Sequence, residues 1–248
     1  MKRTLLCTLM TICVQMVMAA FEAVPRVEPW KTPEVNAVNR LEMSASFPMQ
    51  GKRLPLDGTW KFIFYDLATQ EPGYRDEDPS KWTEITVPGM FELQGYGDPV
   101  YLNVGYAWRG HYENNPPIVP LNDNYAGLYY RDFVIDDTWA GEDIFLHVGS
   151  ATSNVHVWVN GKDVGYSEDS KLEARFDITP YVRPGRNELM LEVHRWCDGT
   201  YLEDQDFWRF TGIGRSVYLY SRPKMRIEDI NVTADMYGNM ALSAEFRF

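Results

Sequence analysis

Apolar and polar residues alternate with a period of two along most of this chain, the pattern of strands buried on one face. In Gly58-Thr59-Trp60-Lys61-Phe62-Ile63-Phe64-Tyr65 the rings of Trp60, Phe62 and Phe64 fall on one side, and Leu189, Leu191 and Val193 repeat the pattern later. Runs rich in β-branched and aromatic residues predict further strands at 82–87, 127–135, 143–148, 154–159, 162–166, 174–178, 187–195 and 215–220. Asn160-Gly161 lies between two of them and predicts a tight hairpin, because a type I′ turn needs positive φ at both central residues. Pro184-Gly185-Arg186-Asn187 predicts a second tight turn. No stretch carries a helical stripe for more than a turn or two. The expected fold is all-β, a jelly-roll β-sandwich over residues 56–222.

The two ends read differently. Residues 1–20 run from Lys2 and Arg3 through an apolar stretch to Ala19 and Ala20, the layout of a secretory signal peptide. The apolar run falls short of the about 20 residues of a membrane span, and Ile12 before Cys13 does not suit a lipoprotein. Cleavage near Ala20 removes Cys7 and Cys13 and leaves Cys197, so no internal disulfide is expected. An exported chain with one thiol suits a bacterial periplasm, where Asn231-Val232-Thr233 is no glycosylation signal. Residues 21–55, with prolines at 25, 29, 33, 48 and 55, predict an extended arm on the domain surface. Residues 223–248 begin a new alternating pattern, expected to be the start of a second, truncated sandwich.

Charge narrows the function classes. The formal net charge is −11, which leaves no basic footprint for phosphate backbones and disfavours an anionic membrane surface. The usual catalytic patterns are absent: no His-Glu zinc spacing, no nucleophile elbow, no phosphate-binding loop and no dinucleotide-binding glycines. His147, His156 and His194 fall in strands and read as packed residues, and Cys197 has no evident histidine partner.

Two long stretches interrupt the strands, 88–124 and 196–214. Loops of this length with little secondary structure of their own are uncommon unless they carry function. The second holds Asp198-Gly199-Thr200-Tyr201-Leu202-Glu203-Asp204-Gln205-Asp206-Phe207-Trp208-Arg209. By charge alone such a run is a solvated acidic loop. Carboxylates beside Trp and Tyr also suit a sugar, whose hydroxyls take charged hydrogen-bond partners and whose C–H face takes aromatic rings. The same oxygens suit a cation that prefers oxygen. From the first loop, Asn103 and Tyr106 are the matching candidates.

These loops carry a resemblance. The run from Pro88 to Val104, the run from Arg195 to Arg209, Trp30-Lys31-Thr32-Pro33-Glu34-Val35 with Asn39-Arg40, Leu56-Asp57-Gly58-Thr59-Trp60, Trp158-Val159-Asn160-Gly161 and Gly212-Ile213-Gly214-Arg215 together resemble the N-terminal part of bacterial β-galactosidases of glycoside hydrolase family 2. The resemblance implies a galactose-binding-like jelly roll, then an immunoglobulin-like domain and a catalytic barrel. It implies that Asn103 and Asp206 hold galactosyl hydroxyls and that Asp206 also ligates a monovalent cation, sodium, with magnesium elsewhere in the intact enzyme. A retaining glycosidase needs two carboxyl groups about 5–5.5 Å apart; in this family both lie on the barrel, so this chain is expected to be inactive alone, and Asn187-Glu188 reads as a structural turn. The sequence departs from the family at Gly89-Met90-Phe91-Glu92, so Phe91 and Glu92 receive no binding role. Two other classes fit less of the sequence: a free-standing carbohydrate-binding module, and an assembly module, since the family's N-terminal segments lie at subunit contacts and imply a homo-oligomer.

Overall fold

The structure, a computed structural model, describes residues 28–43, 51–68, 78–106, 108 and 111–248. The expected signal peptide, residues 1–20, and the start of the arm lie outside the described residues. Among the described residues no helix is long and apolar enough to cross a membrane.

The strands in chain order are β1 (Ala37–Val38), β2 (Arg53–Pro55), β3 (Gly58–Tyr65), β4 (Thr83–Val87), β5 (Gly89–Met90), β6 (Val100–Leu102), β7 (Ala126–Ile135), β8 (Glu142–Val148), β9 (Ala151–Thr152), β10 (Val155–Val159), β11 (Lys162–Ser167), β12 (Ala174–Asp177), β13 (Gly185–His194), β14 (Phe207–Arg209), β15 (Gly212–Ile213), β16 (Val217–Pro223), β17 (Arg226–Ala234) and β18 (Met240–Arg247). Seven of them form one sheet in the order β1-β11-β10-β13-β7-β3-β4, and β12-β8-β16-β2 form a second. Ladders are antiparallel throughout the two sheets. Their inner faces meet in one apolar core, as in a sandwich. From the larger sheet it takes Trp60, Phe62, Tyr129, Val157, Leu189, Leu191 and Val193, and from the smaller Ile144, Leu146, Val148, Phe176, Val217 and Leu219. The alternation seen in the sequence is therefore a burial pattern, and full burial of each such side chain stabilises by about 1.5–3 kcal/mol.

The turns form for the expected reasons. Asn160 and Gly161 both take positive φ, 51° and 73°, between β10 and β11. At the other turn, buried Asn187 donates to the carbonyls of Arg183 and Gly185 at 2.7 and 2.9 Å, while its Oδ1 accepts from Arg183 N at 2.9 Å. The Asn187-Glu188 pair is thus a turn clasp and not a catalytic pair.

A second apolar cluster collects Trp30, Trp108, Val119, Ala126, Tyr166, Trp196 and Cys197, with Tyr106 and Tyr201 packed against it. The arm reaches it: Trp30 stacks on His194 at 4.7 Å, and β1 adds a strand to the edge of β11. The arm is therefore an integral edge of the sandwich and not only a surface wrap. After β16 the chain enters a separate two-stranded antiparallel sheet of β17 and β18.

Candidate functional site

The two long loops meet in a short ribbon. β14 pairs with β6 in the register Phe207↔Leu102, Trp208↔Tyr101 and Arg209↔Val100. Continued one step past the ladder, the register would set Asp206 against Asn103, a relation no local pattern in the sequence could reveal. Side chains alternate across the ribbon: Tyr101, Asn103, Asp206 and Trp208 are exposed, while Val100, Leu102, Phe207 and Arg209 turn inward.

The inward side holds the ribbon in place. Arg209 pairs with Asp204, each side chain 5% exposed. The same guanidinium donates to the carbonyl of Leu102 at 2.8 Å, Phe207 at 3.1 Å, Gln205 at 3.0 Å and Gly105 at 3.5 Å. One buried cation thereby ties both loops together, its planar donors matched by oxygens on both sides. Burial, only partly offset by the Arg209 charge, holds the Asp204 carboxyl above its usual range. Lys171 lies 3.4 Å from the ring centre of Phe207, and Glu203 accepts from Ser170 N at 2.9 Å. The cavity behind the ribbon, lined in part by Lys171, Phe207 and Arg209, measures about 30 Å³, far below the 300–1,000 Å³ of typical ligand pockets. The outer face of the ribbon is the side open to solvent.

On that outer face the Tyr101 hydroxyl donates to Asp206 Oδ1 at 2.8 Å. This bond raises the Tyr101 pKa and fixes one oxygen of the carboxylate. The other Asp206 oxygen takes no hydrogen bond from the described residues. Asn103, exposed just after β6, offers a donor and an acceptor. A carboxylate and an amide suit the hydroxyls of a sugar.

The acidic run is not a solvated loop. Asp204 is buried against Arg209, Glu203 caps a backbone amide, and Asp198 is buried, so of its four carboxylates Asp206 alone reaches outward. Tyr106 is also drawn away from the site. It stacks on Trp108 at 5.4 Å, and its hydroxyl donates to the Tyr201 carbonyl at 3.3 Å. Phe91 is wholly buried in the core, and Glu92 accepts from Thr211 N at 2.9 Å and from the Tyr125 hydroxyl. His194 is buried, with a pKa pushed down to about 3 by burial, and Cys197 is buried with its thiol pushed up. Neither is poised for chemistry. The residues that sequence reasoning missed are Tyr101 and Arg209. The only sequence cue for Arg209 is a lone cation closing an acidic run.

For a cation, the described residues gather no group of three or more carboxylate, His or Cys donors. Asp206 fits as one oxygen ligand of a monovalent ion, whose remaining ligands would have to come from elsewhere. A second oxygen pair is buried where Glu168 and Asp198 meet, with Asp198 Oδ1 lacking a hydrogen-bond partner. Burial, then the Asp198 charge, pushes the Glu168 carboxyl up. Two carboxyl groups in hydrogen-bond contact, both pushed up by burial, hold a proton between them and do not by themselves fit magnesium.

Residues 54–223 match the family described as glycosyl hydrolases family 2, sugar binding domain. The chain is 40% identical over 220 residues to a β-galactosidase of Halalkalibacterium halodurans, covering 82% of this chain and 21% of that protein. It is 42% identical over 190 residues to a β-galactosidase of Priestia megaterium, covering 74% and 18% respectively. The chain thus spans about a fifth of these relatives. Among solved structures, a Faecalibacterium prausnitzii β-glucuronidase superposes with a TM-score of 0.57 at 20% identity, over 83% of this chain and 37% of that one. An uncultured Clostridium β-glucuronidase gives 0.55 at 19%, over 82% and 36%. At such identities these structures speak for the fold alone. A sandwich of this topology, a match to the sugar-binding domain over residues 54–223 and relatives at about two-fifths identity lead to one assignment: the chain belongs to glycosyl hydrolase family 2.

Proposed function

We propose that this chain is the N-terminal sugar-binding region of an exported β-galactosidase that hydrolyses terminal β-D-galactosides with retention. The observation that carries the proposal is the β6–β14 register, which continued one step past Phe207↔Leu102 would bring Asp206 against Asn103. These side chains would hold galactosyl hydroxyls and do no bond chemistry. The acid/base and the nucleophile, two carboxyl groups about 5–5.5 Å apart in a retaining enzyme, would come from sequence outside these 248 residues. The matches to β-galactosidases at 40–42% identity support this substrate over a glucuronide.

A monovalent cation such as sodium, when bound, supplies positive charge beside a sugar hydroxyl, and Asp206 would give it one ligand. Magnesium would be held elsewhere in the intact enzyme. Met1 to Ala20 would direct export to a periplasm, and self-association of the whole enzyme is part of the same proposal.

The test uses the purified chain. It is expected to leave o-nitrophenyl β-D-galactoside uncleaved and to bind methyl β-D-galactoside more tightly than methyl β-D-glucuronide. Turnover by the chain alone, or preference for the glucuronide, would overturn the proposal.

A further inference from the structure

Glu168 and Asp198 meet away from the ribbon, where the N-terminal arm joins the edge of the sandwich. The two residues are only 5% and 7% exposed. The Tyr166 hydroxyl donates to Glu168 Oε1 at 2.9 Å, and Asn154 in turn donates to that hydroxyl at 3.1 Å. Glu168 also meets the Asp198 carboxyl, whose Oδ1 has no hydrogen-bond partner. Two carboxylate ions offer each other only acceptors, so this contact is a hydrogen bond only while one of them keeps a proton.

Both residues hold the arm through their main chain. Asp198 N donates to the Trp30 carbonyl and Glu168 N to the Asn36 carbonyl, each at 3.1 Å. Residues 30–36 therefore run from one carboxyl residue to the other, and the arm continues into β1 against β11. The titratable groups around the pair bring no positive charge. From the arm, Glu34 adds a negative charge beside Asp198. Tyr166 on β11 is kept neutral by burial, as are His194 on β13 and Cys197 after it. Glu203, in the same loop, is bound to Ser170 N. The cations of these elements are engaged elsewhere: Lys31 with Glu28, Arg40 with Asp169, Arg195 with Asp123, and Lys171 over the Phe207 ring. Two buried carboxylates in contact cannot both stay ionised in such surroundings.

We propose that the proton shared by Glu168 and Asp198 latches the arm to the sandwich, so that residues 30–38 stay docked while the pair holds it and detach when it is lost. Burial, then the Asp198 charge, pushes the Glu168 carboxyl up to about 8 from an ordinary 4.5. Docking thus takes up a proton. It is strongest at or below pH 4.5 as far as this pair is concerned, and weakens as pH rises towards 8, by at most about tenfold per pH unit. His194 acts in the opposite direction and only below about pH 6.5, so the two effects separate.

The experiment is pulsed amide hydrogen exchange of the whole chain from about pH 6.5 to about pH 9.5, with each rate divided by its intrinsic value. Protection of the Glu168 and Asp198 amides, which donate to the arm, is expected to fall at least about tenfold between about pH 6.5 and 8.5 and then level off, while Leu191 in β13 keeps its protection. Glu168→Gln sets a permanent donor against Asp198 and should keep both amides protected across the whole range. A ¹³C titration of the Glu168 carboxyl in the unsubstituted chain needs no variant and should show a midpoint near 8. Protection that does not change with pH, a loss shared equally by Leu191, a Glu168→Gln chain that loses protection as the unsubstituted chain does, or a Glu168 midpoint at the ordinary 4.5 would overturn the latch.

Discussion

On the inner face of the β6–β14 ribbon, Arg209 gives its donors to Asp204 and to the carbonyls of Leu102, Gly105, Gln205 and Phe207. On the outer face, Asp206 accepts one hydrogen bond from Tyr101, and Asn103 stands exposed just after β6. Both faces come from the same acidic run, separated only by the alternation of a strand. Buried polar groups must be satisfied because an unpaired one costs about 1–3 kcal/mol, so the inner face is spent on shape. The outer face keeps unused hydrogen-bonding capacity because water can fill it.

The largest expected effect breaks the inner face. Arg209→Met leaves the Asp204 carboxylate buried without its partner and should cost about 3–5 kcal/mol in denaturant unfolding. If the loss stays below about 1 kcal/mol, the pair is no clamp. Glu92→Ala comes next. It removes the acceptor for Thr211 N and the Tyr125 hydroxyl just behind the ribbon, at an expected cost of about 1.5–3 kcal/mol by the same measurement.

Acid should act through His194 on β13. The folded His194 has a pKa near 3 against an ordinary 6.5, so folding keeps the neutral ring while the unfolded chain takes up a proton below about pH 6.5. Stability contributed by His194 is therefore full above that value and lost as pH falls towards 3, with a slope of at most about 1.4 kcal/mol per pH unit. Glu192 Oε1, 3.9 Å from the imidazole, is too distant to reverse the effect of burial. His194→Gln should flatten that slope. Melting curves read from Trp fluorescence and from far-UV dichroism should shift together, because Trp30 rests on His194 and links the arm to the sandwich. The smallest effect belongs to the outer face: Asp206→Asn and Asn103→Ala should each change stability by less than about 0.5 kcal/mol.

The same contrast explains what the sequence could reveal. Strands such as β3, β10 and β13 were legible because Trp60, Val157 and Leu191 each belong to an alternating run long enough to show its period. β5, β6, β9, β14 and β15 span only two or three residues. They exist because distant segments pair, and a period cannot be read from so few positions. The resemblance placed Asn103 and Asp206 near a sugar, but the division of the acidic run into buried and exposed carboxylates depends on β6, far away in the chain. Tyr106 looked equivalent to Asn103 for the same reason. Only the aromatic cluster with Trp108 and Tyr201 shows that it is committed to packing.

We propose that the outer face of the ribbon binds sugar while its inner face holds the ribbon in shape. Asp206→Asn tests it most directly, by titrating methyl β-D-galactoside into the purified variant and the unsubstituted chain while recording both melting temperatures. Sugar affinity is expected to fall at least about tenfold, as for loss of a charged hydrogen bond, with an unchanged melting temperature. Unchanged affinity, or a loss of affinity matched by a fall in melting temperature, would contradict it.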